Sequence, residues 1–166
     1  MSPLVAHVRI RRMSQADLPQ VQALDKLSFT TPWPPGSFEY ELRPDSSSIC
    51  LVAELIDQPL IVGVVVVWLI ADEAEVATLA VTPQERGKGI ARQLLATALH
   101  LAWQAGARKS QLDVRVSNAP ALRLYYGFGY QPVGLRPGYY EDTHEDALLL
   151  TLDPLDPHKL EALEST

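Results

Sequence analysis

Apolar residues recur along this chain with two periods. They alternate with polar residues or run together in short stretches typical of strands, and they recur every three or four residues in longer stretches typical of helices. Prolines and glycines separate the stretches. The predicted strands are residues 7–13, 49–56, 60–70, 75–81, 111–116, 131–135 and 147–152, and the predicted helices are residues 14–29, 36–42, 89–105 and 120–126.

The connections between these elements predict the topology. A tight turn at residues 57–59 makes the two strands beside it an antiparallel hairpin. Residues 75–116 form a strand, a helix and a strand, so these two strands should be parallel with a right-handed crossover. We therefore predict one α/β domain over residues 1–153, with a mixed, mostly antiparallel sheet and helices on both faces. The polar tail, residues 154–166, is expected to fray.

Composition and charge narrow the class of protein. The 166 residues, 47% of them hydrophobic, suit one ordinary globular core. A net charge of −6 argues against a general nucleic-acid binder, which would carry a basic face. The first twelve residues contain no long apolar stretch, and the longest apolar run, residues 60–71, is too short to cross a bilayer as a helix. We expect a cytoplasmic protein without a membrane partner.

Cys50 is the only cysteine of the chain, so it cannot form an internal disulfide, and a reducing compartment fits best. It lies in an apolar strand, where a lone cysteine is usually a small buried hydrophobe. A reactive thiol is the less favoured alternative. No metal site is predicted.

The stretch VTPQERGKGIAR, residues 81–92, surrounds two glycines with basic side chains where a predicted strand gives way to a helix. A helix that begins near Gly87 leaves its first N–H groups unpaired at the positive end of the helix dipole. Phosphate binds readily at such a terminus, and Gly87 and Gly89 would let the main chain approach it closely. A chain break before an exposed basic helix would give the same pattern, so both interpretations stay open.

A second segment, SNAPALRLYYGFGY at residues 117–130, completes a resemblance to the GCN5-related N-acetyltransferase superfamily. The superfamily's cofactor loop, Q/R-x-x-G-x-G/A, is matched by Arg86, Gly89 and Ala91. Its motif N-x-x-A-x-x-L-Y-x-x-x-G-F/Y is matched by Asn118, Ala121, Leu124, Tyr125, Gly129 and Tyr130. The predicted order of elements is also similar. The resemblance implies a central pair of parallel strands that splay apart, and an N-acetyltransferase with acetyl-CoA as cosubstrate.

Four further features resemble the RimI-type ribosomal-protein alanine N-acetyltransferases of that superfamily. They are the pair Pro32-Trp33, LAV before the loop, L-x-VRVSN at residues 112–118, and the ending GYYEDTHEDALLLTL. The motifs match best over residues 79–152. This resemblance implies a protein N-terminal α-amine as acceptor, that of a ribosomal protein beginning with alanine. An α-amine, with a pKa of ~8, is also easier to deprotonate than a lysine at ~10.4.

The resemblance also implies roles for single residues. Backbone N–H groups of Leu79, Ala80 and Val81 would meet the thioester carbonyl and the pantetheine arm. The loop that would hold the pyrophosphate consists of Arg86, Gly87, Lys88, Gly89, Ile90, Ala91 and Arg92. Asn118 would reach the cosubstrate, or it caps the next helix. Tyr125 would donate a proton to the departing thiolate, because a phenol pKa of ~10 keeps it protonated at neutral pH; otherwise it is an ordinary packed tyrosine.

The general base is where the chain departs from the RimI-type pattern. The pattern reads LEVR, whereas this chain reads LDVR and places Asp113 at the glutamate position. Asp113 could accept the proton directly or through water, or it could pair with Arg115 on the same strand face. Glu75, at the start of the preceding strand, competes for the role because other members of the superfamily carry a glutamate there.

Aromatic and acidic residues could line a cleft for a basic acceptor peptide, although exposed acids are commonly only solvated. These residues are Trp33, Glu39, Glu41, Tyr139, Tyr140, Glu141 and Asp142. Two other functions stay open. The domain could acetylate a small amine, since this fold serves many acceptors, or it could be a non-catalytic acyl-CoA sensor, for which the altered base is an argument.

Overall fold

The computed structural model describes residues 7–165, which form seven strands and five α-helices. The strands are β1 (Val8–Arg12), β2 (Ile49–Leu55), β3 (Ile61–Ile70), β4 (Glu73–Val81), β5 (Lys109–Arg115), β6 (Gln131–Arg136) and β7 (Ala147–Leu152). The α-helices are α1 (Leu18–Ser28), α2 (Ser37–Glu41), α3 (Ile90–Gln104), α4 (Ala119–Phe128) and α5 (Pro157–Glu164). Every predicted strand and helix is present with slightly different ends, and α5 is an addition.

The strands form one sheet in the order β1-β2-β3-β4-β5-β7-β6. Within residues 7–165, β4 and β5 are the one parallel pair, and every other neighbouring pair is antiparallel. Helix α3 connects β4 to β5, as the strand–helix–strand pattern predicts. The predicted fold class, a mixed and mostly antiparallel sheet with a central parallel pair, is therefore confirmed.

The parallel pair is short and then diverges. Strands β4 and β5 pair only from Glu73 opposite Lys109 to Glu75 opposite Gln111. Immediately afterwards the register between β3 and β4 shifts, leaving Ala77 as the extra residue of a bulge. A bulge bends its strand and increases its twist. The rest of β4 stays paired with β3 but leaves β5, which confirms the predicted splay.

Helices cover both faces of the sheet. Helices α3, α4 and α5 pack on one face, and α1 and α2 on the other. The four valines 64–67 of β3 lie between the two layers with 0% exposure. A strand covered on both faces needs apolar residues at consecutive positions, which explains this uninterrupted run.

The expectation that the tail frays is wrong. Asp156 accepts hydrogen bonds from the amides of His158 and Lys159 and caps α5. Leu155 and Leu160 are only 4% and 2% exposed and belong to the core beneath α3. The segment is polar on average, but its few leucines face the same side and pack against α3.

Two further expectations concern membranes and the cysteine. None of the helices in the described part of the chain is both long and apolar enough to span a membrane. Residues 1–6, which belong to the amino-terminal stretch interpreted as neither signal peptide nor anchor, lie outside the described residues.

Cys50 is buried, as predicted, and its burial raises the pKa of the thiol to about 12.

Candidate active site

A cavity of about 700 Å³ lies where β4 and β5 diverge, between the start of α3 and α4. Ten of the eleven predicted cosubstrate-binding residues line it: Leu79, Ala80, Val81, Arg86, Gly87, Gly89, Ile90, Ala91, Arg92 and Asn118. Tyr125 lines it too. The fold therefore brings the two sequence motifs together around one space, which we call the cosubstrate cavity.

The loop before α3 has the backbone geometry that its glycines predict. Gly87 and Gly89 adopt left-handed conformations, with φ of +77° and +83°. Gly89 is the residue before the helix and provides no side-chain cap, so the first N–H groups of α3 are left for an external acceptor. A Cβ at Gly89 would lie 2.8 Å from Arg92 Nη2, so a larger residue would be both strained and crowded.

The three basic residues of the loop have different surroundings. Arg92 Nε is buried and has no hydrogen-bond partner among residues 7–165, as expected of a donor that serves an anionic ligand. Arg86 Nε donates to the carbonyl of Val81 at 3.0 Å and ties the loop to the end of β4. Lys88 does not line the cavity, and its ammonium lies 2.8 Å from Glu85. The loop fits a pyrophosphate through its main chain and Arg92.

Helix α4 supplies the opposite wall. Asn118 Oδ1 accepts a hydrogen bond from the amide of Ala121 at 3.2 Å, which confirms the helix-cap interpretation. Asn118 also lines the cavity, so its contact with the cosubstrate stays a prediction. Three residues outside both motifs, which the sequence did not reveal, complete the lining: Ser28 and Phe29 at the end of α1, and Leu163 of α5.

Tyr125 is 8% exposed and lies edge-on to Tyr130, with ring centroids 5.5 Å apart. Burial raises the pKa of Tyr125, and the nearby Tyr140 adds to the shift. The phenol therefore stays protonated throughout the neutral range and can donate a proton to a group in the cavity. Whether Tyr125 is the catalytic acid stays a prediction.

The two candidate bases lie on the other face of the sheet. Val76 and Leu112 belong to the core under α3, so their strand neighbours Glu75 and Asp113 point toward the face of α1 and α2. Burial raises the pKa of Glu75, and the negative charge of Asp113 raises it further. Neither carboxylate lines the cosubstrate cavity. The structure thus places a pair of acids behind the splay and a phenol in front of it.

The alternative in which Asp113 pairs with Arg115 is wrong. Asp113 Oδ1 lies 3.4 Å from Arg136 Nε, without a hydrogen bond from any described residue. Arg115 instead lies 2.9 Å from Asp142 and 3.6 Å from Glu145. Residues 137–146, the loop between β6 and β7, fold back over β5 and bring these carboxylates closer to Arg115 than its neighbour on the strand.

The loop between β6 and β7 contacts both β5 and the segment that follows α1. The guanidinium of Arg115 lies 3.9 Å from the ring centroid of Tyr140, whose pKa is raised by burial and by the charge of Asp113. Asp142 Oδ2 accepts a hydrogen bond from Thr30 Oγ1 at 2.5 Å, which links the loop to the segment after α1. Arg115 and Tyr140 thus stand beside the candidate bases. The sequence offered Asp113 as an alternative partner of Arg115, whereas in the structure its partners are Asp142 and Glu145.

The predicted peptide cleft is divided between two places. Tyr139, Tyr140 and Asp142 belong to the loop between β6 and β7. Trp33 and Glu41 line a second cavity of about 440 Å³, together with Pro34, Pro35, Gly36, Ser37, Tyr40 and Trp68. Glu39 and Glu141 are exposed and line neither cavity. We call the second space the aromatic cavity.

With this geometry, the chain belongs to the acetyltransferase (GNAT) family, whose model matches residues 18–130. A Bacillus subtilis protein, provisionally named a ribosomal protein bS18-alanine N-acetyltransferase, is 37% identical over 85% of this chain and 92% of its own length. The N-alpha-acetyltransferase RimI of Mycobacterium tuberculosis is 33% identical over 90% of this chain and 95% of its own. Arabidopsis thaliana NAA60, solved with acetyl-CoA, shares the fold with a TM-score of 0.80 at 19% identity, over 88% of this chain and 99% of that one.

The protein is therefore an acetyl-CoA-dependent N-acetyltransferase, as the two motifs predicted. Acetyl-CoA is its cosubstrate. The names of these relatives also support the prediction that the acceptor is an N-terminal amine.

Proposed function

We propose that this protein transfers the acetyl group of acetyl-CoA to the N-terminal α-amine of a ribosomal protein that begins with alanine. The proposal is carried by the 37% identity, over most of both chains, to a relative provisionally named for this reaction. A splayed strand pair with a cosubstrate cavity on one face and acids on the other is consistent with it. Such an acceptor would place the enzyme in the cytoplasm, with no contact to nucleic acid required.

The acceptor nitrogen must lose two protons and the sulfur must gain one. A base takes the first proton from the ammonium, because only a neutral amine can form the C–N bond with the acetyl carbon. The nitrogen gives up its second proton once that bond has formed, the C–S bond breaks, and the thiolate takes up a proton as it leaves. We assign the first proton transfer to the carboxylates behind the splay and the protonation of the thiolate to Tyr125 in front of it, whose phenolate can take back the second proton of the nitrogen. N–H groups of Leu79–Val81 on the edge of β4 that faces away from β3 stabilise the oxygen on which negative charge develops.

We assign the role of general base to Glu75, and to Asp113 that of a negative charge that raises the pKa of Glu75. A carboxylate accepts a proton more readily when its pKa lies closer to the working pH. Burial and Asp113 both raise the pKa of Glu75 in that direction. Asp113 is one methylene shorter than the glutamate of the RimI-type pattern and is engaged with Arg136. Asp113 as the direct base is the alternative, and the two assignments predict different pH profiles.

The acceptor class is tested by measuring free thiol released from acetyl-CoA. A hexapeptide beginning with alanine is compared with its Nα-blocked form carrying a lysine, with spermidine and with free alanine. We expect turnover on the free N-terminus alone. Turnover on the small amines but not on the peptide would contradict the proposal. Tight acetyl-CoA binding without turnover on any acceptor would indicate an acyl-CoA sensor.

A further inference from the structure

We propose that the aromatic cavity binds a basic side chain of the acceptor polypeptide, an arginine in particular, a few residues after the acetylated N-terminus. This inference rests on the proposed function, since it names a feature of the same acceptor. It assigns a task to Trp33, Tyr40, Glu41 and Trp68, none of which contributes to the cosubstrate cavity.

The walls of the cavity suit a flat cation. Trp33 and Trp68 stack with their ring centroids 6.3 Å apart and an angle of 22° between the rings. Trp33 also stacks on the buried Phe38 at 4.7 Å, which fixes its orientation. Indole faces attract guanidinium and ammonium groups, and indole is the best of the aromatic rings for this contact. Arginine should be attracted most strongly, because its guanidinium is planar and weakly hydrated.

Glu41 gives the cavity a charge that residues 7–165 do not balance with an ion pair. One carboxylate oxygen accepts a hydrogen bond from Trp68 Nε1 at 3.0 Å, and the other accepts one from the hydroxyl of Ser48. Both donors are neutral, and a carboxylate has lone pairs for further donors. Arg43 lies on the ring of Tyr40 at 3.6 Å, but the carboxylate near it is Asp45, at 3.9 Å. An external cation would complete the site.

The position of the cavity links it to the acceptor. Trp68 lies directly opposite Glu75 in the pairing of β3 with β4. Directly opposed residues point to the same face, so the indole that walls the cavity is a neighbour of the candidate base. An extended peptide advances about 3.3 Å per residue, so a side chain close to the N-terminus can reach the cavity while the α-amine is at the acids. The net charge of −6 favours a basic acceptor as well.

The test uses peptides that begin with alanine and carry one arginine at position 2, 3, 4 or 5, each compared with the same peptide containing citrulline. Citrulline keeps the shape of arginine without its charge. For the unmodified protein, we expect kcat/KM to be roughly tenfold or more higher for arginine at one of these positions, the scale of a charge-assisted hydrogen bond. Equal values at all four positions would overturn the inference.

The matched variants are Glu41→Gln and Glu39→Gln. Glutamine at position 41 can still accept from Trp68 and bond to Ser48, so the fold is kept while the charge is lost. Glu39 lies in the same helix but does not line the cavity. We expect the preference for arginine to disappear in Glu41→Gln and to persist in Glu39→Gln. Equal loss in both variants would indicate general charge attraction and reject the site.

Failure of the proposed function gives a different result. If no peptide is acetylated, the same peptides are titrated into the acetyl-CoA-loaded protein, with tryptophan fluorescence as the signal. Tighter binding of the arginine peptide that is lost in Glu41→Gln supports the cavity even though the acceptor class is wrong. Identical binding of the arginine and citrulline peptides rejects the cavity. The melting temperatures of both variants are to be measured, to verify that they are folded.

Discussion

The cosubstrate cavity and the aromatic cavity are built from different parts of the chain. The first is lined by five segments, of which the loop with Gly87 and Gly89 in left-handed conformations offers main-chain N–H groups to a ligand. The second is lined by residues of the stretch 33–41 and by Trp68, and it offers the side chains of Trp33, Glu41 and Trp68 to a ligand. The first would hold a ligand common to the whole family, whereas the second would contact an acceptor that differs among its members.

The two kinds of site place different requirements on the sequence. Backbone N–H groups bind phosphate whatever the side chains are, so such a loop requires only glycines where the chain bends and the ligand approaches. A side-chain site depends on the identity of every lining residue. Substitutions on the cosubstrate side should therefore change acetyl-CoA binding, and substitutions on the acceptor side should change turnover or acceptor affinity.

The largest effect should come from the acids on the acceptor side. We expect Glu75→Gln to lower turnover by roughly 10²–10⁴, the range for losing a general base, with nearly unchanged acetyl-CoA binding. Asp113→Asn should lower turnover by a smaller factor. Because the charge of Asp113 raises the pKa of Glu75, its removal should lower that pKa and move the acidic limb of the pH–rate profile to lower pH.

The two pH profiles decide which carboxylate is the base. If Asp113 accepts the proton, the effects exchange: Asp113→Asn abolishes the acidic limb with the large loss, and Glu75→Gln is mild. Asp113→Glu, which restores the residue of the RimI-type pattern, should then keep or improve turnover. Unchanged turnover in both asparagine and glutamine variants would remove these acids from the mechanism.

The cosubstrate side should respond to Gly89→Val. The substitution forces a side chain into a left-handed conformation and crowds Arg92, so we expect acetyl-CoA affinity, measured by calorimetry, to fall at least roughly tenfold. Gly36→Val is the matched control, since Gly36 also precedes a helix with φ of +85° but lies at the aromatic cavity. It should destabilise the fold without weakening acetyl-CoA binding. Equal losses of affinity would show that strain alone is responsible.

Arg115→Lys tests whether the loop between β6 and β7 belongs to the acceptor side. Lysine keeps the charge but lacks the fork that contacts Asp142 and Thr143 together. We expect the KM for the acceptor peptide to rise by roughly threefold to tenfold, with an unchanged KM for acetyl-CoA. Arg9→Lys, in an exposed pair with Glu54, is the control and should change neither. A rise in the KM for acetyl-CoA alone would contradict this assignment.

The smallest effect concerns α5. Leu163 lines the cosubstrate cavity, so Leu163→Ala should weaken acetyl-CoA binding by a few-fold, about the loss of one apolar contact. Leu160→Ala removes a core side chain that does not line the cavity and should lower the free energy of unfolding by about 2–5 kcal/mol. Its acetyl-CoA affinity should be unchanged at temperatures where it is folded. The reverse pattern would show that α5 serves stability alone.

Local patterns in the sequence predicted most of the fold and the cosubstrate side of the site. The apolar run of β3 and the stripe of α3 reveal buried strands and an amphipathic helix, because burial on one or both faces fixes which positions are apolar. Loop residues 86–92 were identified because they match the superfamily's cofactor loop and a second matching motif follows at residues 117–130. Helix α5 was missed because its packing rests on a few leucines in a polar segment.

The sequence by itself thus determined every element except α5, the family and the loop that we expect to bind the cosubstrate, since each depends on residues close together in the chain. Tertiary structure alone decided the bulge at Ala77 that opens the sheet, the pairing of Arg115 with Asp142, and the position of Trp68 beside Glu75 and Glu41. These relations join segments distant in sequence. Their free energies depend on distances and burial that exist only once the chain has folded, so no local pattern records them.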